Sequence, residues 1–198
     1  MTPRGYISPH AVIYHHQLAL GKSVFIDDRA VIFQAPTGGS IEIGDYVCIY
    51  RDTTLETGQG GRLIIGSRAS IHPRCQINAY LAPIHIGHNV MIGPNCALYP
   101  YDHGIAPGTP IAAQPLQSKG GITIGDGAWL GFGVIVLSGV RIGAGAVVGA
   151  GSVVTQNVPD GGIAVGAPAQ VVKMRSDLST PPELPQRNAK PVRTPSSA

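Results

Sequence analysis

Aliphatic residues recur along most of this chain at every sixth position, and every third one is followed by glycine: Leu20-Gly21, Ile43-Gly44, Ile65-Gly66, Ile86-Gly87, Ile124-Gly125 and Ile142-Gly143. Reading on from each opener gives Leu20/Ile26/Ile32, Ile43/Ile49/Leu55, Ile65/Ile71/Ile77, Ile86/Ile92/Leu98, Ile124/Leu130/Val136 and Ile142/Val148/Val154, three sixes to a unit. An amphipathic helix places apolar residues near every 3.6 positions and a half-buried strand at every second, so neither fits. A short strand followed by a corner does. Four positions beyond these aliphatics stand slim residues: Val47, Thr53, Ala69, Cys75, Val90, Cys96, Ala128, Val134, Val140, Ala146, Ser152 and Val158. One bulky and one slim inward side chain per face fill a triangular interior. The pattern predicts an all-β solenoid of about seven coils, a hexapeptide-repeat parallel β-helix.

One coil cannot fold alone. Its three buried aliphatics contribute roughly 1.5–3 kcal/mol each, against about 1–2 kcal/mol of backbone entropy per ordered residue. Stacked coils share hydrogen bonds at about 4.8 Å spacing and cover one another's edges. The 27 glycines of the 198 residues suit such corners, where they and asparagine or aspartate supply backbone shapes that a side chain obstructs.

The openers are spaced by 23, 22, 21, 38 and 18 residues, and each excess over one coil falls just before the next opener. All loops therefore leave from one corner. Most are short turns such as Pro36-Thr37-Gly38-Gly39, but residues 99–123 insert a long excursion, and long loops in compact repeats are usually functional. The domain reading is a capping start over residues 1–19 that closes the core, a β-helix over 20–175, and a disordered Pro/Ser-rich tail over 176–198.

Composition narrows the function. Charged residues are 13% of the chain, about half the usual share, which leaves flat faces suited to partner subunits. A net charge of +3, with its cations scattered, is no nucleic-acid footprint. No basic segment followed by an apolar core precedes Tyr6, and no apolar run reaches membrane-spanning length, so the expected location is the cytoplasm. Three cysteines make no disulfide framework or zinc site. Cys75 and Cys96 fall in slim inward slots, and Cys48, one place beyond such a slot, is expected to point outward.

Among seven histidines, His103 stands apart in the long loop, after Asp102 and near Tyr99 and Tyr101. An imidazole is suited to taking a proton from a hydroxyl near neutral pH; the plainer reading is a solvated loop histidine. Asp102 or a backbone carbonyl could orient its ring. His85 and His88 flank the Ile86-Gly87 corner, but two histidines do not make a metal site. Trp129, beside the inward Ala128, is expected to point outward on a face beside the long loop, either at a subunit interface or along a ligand groove.

Asp102-His103, Gln114-Pro115, the run from Ile122 to Gly131, Gly139-Val140-Arg141-Ile142-Gly143, the run from Val148 to Thr155 and Val165-Gly166-Ala167-Pro168-Ala169 together resemble the hexapeptide-repeat O-acetyltransferases of the maltose/galactoside type. The resemblance implies left-handed β-helices, a homotrimer and acetyl-coenzyme A held between neighbouring subunits, with a sugar hydroxyl or related small acceptor and no metal. It makes His103 the catalytic base with Asp102 beside it. Trp129, Gly131, Phe132, Ala150, Thr155 and Lys173 become coenzyme contacts, with an amide near Gly131 or Phe132 facing the thioester, and Asn78 and Tyr101 become acceptor contacts. Two residues depart from the family pattern: Gln156 stands where a lysine is frequent, and Phe132 where a small residue is common. A γ-carbonic-anhydrase-like metalloenzyme would need a further histidine five residues after His85 or His88, where Val90 and Gly93 stand. A non-catalytic trimerising scaffold would need neither the histidine loop nor the Trp129 segment.

Overall fold

The computed structural model describes residues 5–178, which wind into a triangular prism of stacked coils. Wall one has nine strands: Tyr6–Ile7, Phe25–Ile26, Cys48–Ile49, Ser70–Ile71, Met91–Ile92, Trp129–Leu130, Val147–Val148, Gly162–Gly166 and Ala169–Met174. Wall two has seven, from Val12–Tyr14 through Val31–Gln34, Thr54–Gly58, Gln76–Tyr80, Ala97–Leu98 and Ile135–Val136 to Val153–Val154. Wall three has six, from Leu18–Leu20 through Ile41–Ile43, Leu63–Ile65, Ile84–Ile86 and Ile122–Ile124 to Arg141–Ile142. Each coil visits wall three, then one, then two. Pairing between coils is parallel and in register, so like residues stack, as Ile71 does between Ile49 and Ile92.

The core is the one the sixfold pattern predicts. Every patterned aliphatic except Leu20 is buried, and so is every slim partner from Val47 to Val158. The Cys75 and Cys96 thiols donate to the Gly93 and Gly131 carbonyls, each at 3.1 Å. Cys48 lies outside the core cluster, on the outward side where it was expected, yet is buried, because its in-register neighbours Phe25 and Ser70 flank it on the outer sheet face.

The two ends differ. The first coil supplies a strand to each wall and leaves Ile7, Ile13 and Leu20 exposed at 46%, 39% and 38%. Among the described residues the core is therefore open at its N-terminal end, where a closing cap over residues 1–19 was expected. At the other end the Gly162–Gly166 and Ala169–Met174 strands pair antiparallel, and Ala164 and Ala169 join the core. Ser176 and Asp177, assigned by composition to the tail, complete a 3₁₀ turn over Arg175–Asp177. Residues 179–198, the remainder of the expected tail, lie outside the described residues, as do residues 1–4. Among the described residues no helix is long and apolar enough to cross a membrane.

Glycine follows each opener for closeness of approach rather than for backbone shape. A Cβ built on Gly125 would stand 2.5 Å from the Ala144 nitrogen and 2.8 Å from its Cα. Several left-handed corner positions instead carry larger residues, among them Tyr46, Arg68 and Arg74 at φ 59°, 61° and 62°. Gly125→Ala should therefore destabilise by about 1–3 kcal/mol through forced backbone shifts. Gly127→Ala, at φ +66° with nothing near its Cβ, should cost about 1 kcal/mol. Melting temperatures of the two variants in the opposite order would refute this account of the repeat.

Candidate active site

All the connections from wall two to wall three share one corner, and the long excursion leaves from it. The excursion has structure of its own: Asp102–His103 pairs antiparallel with Leu116–Gln117, and Ile111–Ala113 forms a 3₁₀ turn. The Gln114 side chain staples its tip. It accepts from the Ala106 N–H at 2.8 Å and donates to the Ala106 and Thr109 carbonyls at 3.0 and 2.8 Å. At the base the Ser118 hydroxyl donates to the Pro100 carbonyl at 2.5 Å. Ile105 and Ile111, on the tip, are exposed at 79% and 54%.

His103 is exposed at the foot of this hairpin, and neither ring nitrogen has a partner among the described residues. The Ser138 hydroxyl donates to Asp102 Oδ2 at 3.2 Å. Ser138, buried at the same corner, thus ties the strand that carries the histidine to the prism. Nothing in the sixfold pattern singles Ser138 out, because it lies in a turn between walls.

The two expected acceptor residues do come together. The Asn78 amide nitrogen donates to the Tyr99 hydroxyl at 3.0 Å, and the Tyr99 ring meets Tyr101 edge-on at 5.6 Å. Tyr101 meets Tyr80 at 5.4 Å, whose hydroxyl donates to Glu56 at 3.0 Å. Asn78 is 8% exposed, and its buried carbonyl oxygen has no partner among the described residues. Burial first, then the Glu56 carboxylate, pushes the Tyr80 hydroxyl up to about 12. Burial also raises Tyr99 and Tyr101. The wall is therefore one of neutral phenols, hydrogen-bond donors with flat faces. Tyr80 and Glu56 were missed from sequence because they sit in the extended ends of wall two strands, outside the repeat.

The expected coenzyme residues divide. Trp129 points outward, 47% exposed, but on wall one, the face opposite the loop's corner and not beside it. Three coils of in-register pairing carry its row through Val147 and Ile163 to Lys173, so an aromatic and a cation stand at the two ends of one outward track. Phe132 and Ala150 stack on adjacent coils at the corner between walls one and two, joined by the Gly151 N–H donating to the Phe132 carbonyl at 2.8 Å. Thr155 lies at the other edge of wall two, past Val153–Val154. The two candidate oxyanion donors are also resolved. The Gly131 N–H donates to the Val148 carbonyl at 2.8 Å and is committed to the coil ladder. The Phe132 N–H has no partner among the described residues, and its ring is 54% exposed.

His88 is a corner residue. Its Nδ1 accepts from the Ser67 N–H at 3.0 Å, and its own N–H donates to Asp126 at 2.8 Å. Among the described residues no group of three or more His, Cys, Asp or Glu side chains could hold a metal ion.

Residues 121–156 match the family described as bacterial transferase hexapeptide (six repeats). A protein of Mycobacterium tuberculosis assigned as an acetyltransferase is 37% identical over 153 residues, 77% of this chain and 50% of that one. The chain thus spans about half the length of this curated relative. A crystal structure of a Bacillus cereus protein assigned as an acetyltransferase superposes with a TM-score of 0.66 at 25% identity, covering 83% of this chain and 84% of the other. The hexapeptide-repeat acetyltransferase VCA0836 of Vibrio cholerae, complexed with acetyl-coenzyme A, superposes with a TM-score of 0.56 at 27% identity, covering 79% and 70%. With the sixfold core, the three stacked walls and these likenesses together, residues 121–156 carry the hexapeptide repeat, and the chain has the left-handed parallel β-helix fold of the hexapeptide-repeat acetyltransferases to which it is similar.

Proposed function

We propose that this protein transfers the acetyl group of acetyl-coenzyme A to a hydroxyl of a saccharide or related small acceptor, in a cleft completed by a neighbouring copy of the chain. One observation carries the reading: the His103 ring and the Phe132 amide, both without a partner among the described residues, stand at opposite edges of wall two. Inside one chain they cannot meet. A head-to-tail contact that sets one edge of wall two against the other edge of the next copy is heterologous and forms a ring when its rotation closes; three prisms with wall two inward are the ring proposed. The exposed Ile105 and Ile111 of the loop tip then gain an apolar surface to cover.

In the assembled cleft His103 takes the proton of the acceptor hydroxyl as its oxygen bonds to the thioester carbonyl carbon. The Phe132 N–H donates to the oxyanion that forms, an interaction worth about 2.7–4 kcal/mol in other acyl transfers. As the carbon–sulfur bond breaks, the imidazolium returns its proton to the leaving thiolate. Both ends of the reaction use one side chain, and no covalent enzyme intermediate is needed. The outward row from Trp129 to Lys173 offers an apolar start and a cationic end to the coenzyme. The tyrosine wall offers flat faces and donors to a sugar.

Two measurements test this. Saturating acetyl-coenzyme A, at about a hundred times its Kd, should raise stability by about 2.7 kcal/mol, or about 5–10 °C of melting temperature for a chain of this size. No shift would favour a scaffold. Thiol release from acetyl-coenzyme A should depend on hydroxyl acceptors; release only with amino sugars would replace the O-acetyl reading by an N-acetyl one.

A further inference from the structure

The corner between walls one and two continues above the Phe132 amide, toward the N-terminal end, and its character changes there. The positions stacked above Gly131, Phe132 and Gly133 are Gly93, Pro94 and Asn95, then His72, Pro73 and Arg74, then Tyr50, Arg51 and Asp52. The Tyr50 and His72 rings lie 5.1 Å apart. Arg51 and Arg74 are both exposed and sit on successive coils, the Arg74 N–H donating to the Arg51 carbonyl at 3.1 Å.

The carboxylates nearby are already matched. Arg29 holds Asp52 at 2.8 Å and Asp28 at 2.6 Å, and Asp27 accepts from the Arg51 backbone N–H at 3.2 Å. Among the described residues the Arg74 guanidinium donates only to the neutral Asn95 side chain, at 2.8 Å. Among the described residues, neither Arg51 nor Arg74 has a carboxylate within ion-pair distance. Two unmatched guanidinium groups beside two rings thus stand two and three coils above the Phe132 amide, about 10 and 14 Å at the usual inter-strand spacing.

We infer that Arg51 and Arg74 bind an anionic group of the acceptor, so that this protein acts on acidic saccharides whose phosphate or carboxylate lies well away from the hydroxyl that is acetylated. The inference rests on the proposed cleft, since it takes the Phe132 amide as the point of reaction. Guanidinium forks suit both phosphate and carboxylate oxygens. The Tyr50 and His72 rings, on the same two coils as the arginines, supply a platform for the sugar beside the charge.

Binding, measured by calorimetry on the full chain with coenzyme A present, tests this separately from catalysis. The probes are UDP-glucose for a phosphate, a sialic acid tetramer for carboxylates, and maltose as a neutral control. The variant is Arg51→Ala with Arg74→Asn, asparagine being chosen because Arg74 has φ 62° and asparagine tolerates that backbone. At least one acidic probe should bind about tenfold or more tighter than maltose and lose that advantage in the variant. Coenzyme affinity should stay unchanged, and lysine at both positions should restore part of the binding. The probe that responds identifies the anion. Equal binding of all three probes, or a preference that survives in the variant, overturns the inference. So does a variant that loses its oligomer, because the arginines would then be pairing with a neighbouring copy. Arginine-dependent binding in a protein that never releases thiol would instead overturn the acetyl-transfer reading alone.

Discussion

Replacing His103 by alanine should lower turnover by about a hundredfold or more, the usual contribution of a positioned general base, while leaving acetyl-coenzyme A binding intact. The separation is expected because His103 lies on the loop hairpin at one edge of wall two, whereas Trp129, Phe132 and Lys173 lie on wall one and its other edge. The side chain is exposed and has no hydrogen-bond partner among the described residues, so its loss should not move the melting temperature. A rate within about threefold of the parent would remove His103 from the mechanism. A sharper form of the experiment tests the shared cleft. Phe132→Pro deletes the Phe132 N–H and should be inactive on its own. Co-assembling it at equal amounts with His103→Ala should recover about a quarter of the parental activity, because random mixing pairs an intact histidine edge with an intact amide edge in that fraction of sites. Mixtures that stay inactive, although both variants fold and assemble, would mean that the two residues do not serve one site.

Ile71→Ala should be a severely damaging truncation of the prism. Ile71 has no exposure and stacks in register between Ile49 and Ile92, with Ala69 and Cys75 as its slim neighbours along the coil. Parallel in-register stacking holds the coils at fixed spacing, so the hole cannot collapse by sliding. The cost should be about 2–5 kcal/mol, seen as a fall in melting temperature of about 5–20 °C. Leu20→Ala is the control, since the same repeat position in the first coil is 38% exposed and should change melting far less. Equal losses at the two positions would show that the open end is covered in solution.

How much of this was legible beforehand follows from how local each feature is. The identity of inward and outward positions depends on side-chain alternation within a coil, so Ile26, Ile49, Cys75 and Cys96 could be placed from spacing alone. The corner from which the loops leave follows from where the excess residues fall between openers. Cys48 was placed outward in the same way, but its burial could not be read, because it comes from Phe25 and Ser70 on other coils. Nor could Ser138 or Glu56 be recognised, since each touches a site residue, Asp102 or Tyr80, that is distant in sequence.

The sequence by itself determined the sixfold core, the three-walled winding and the one long excursion that carries His103, because each is set by the order of residues along a single coil. The tertiary structure alone decided that Trp129 faces away from that excursion, that the Gly131 N–H is bound into the ladder while the Phe132 N–H has no partner among the described residues, and that the first coil leaves Ile7, Ile13 and Leu20 exposed. These depend on which wall a residue occupies and which coil lies against it, relations across space that a repeat in one dimension does not record.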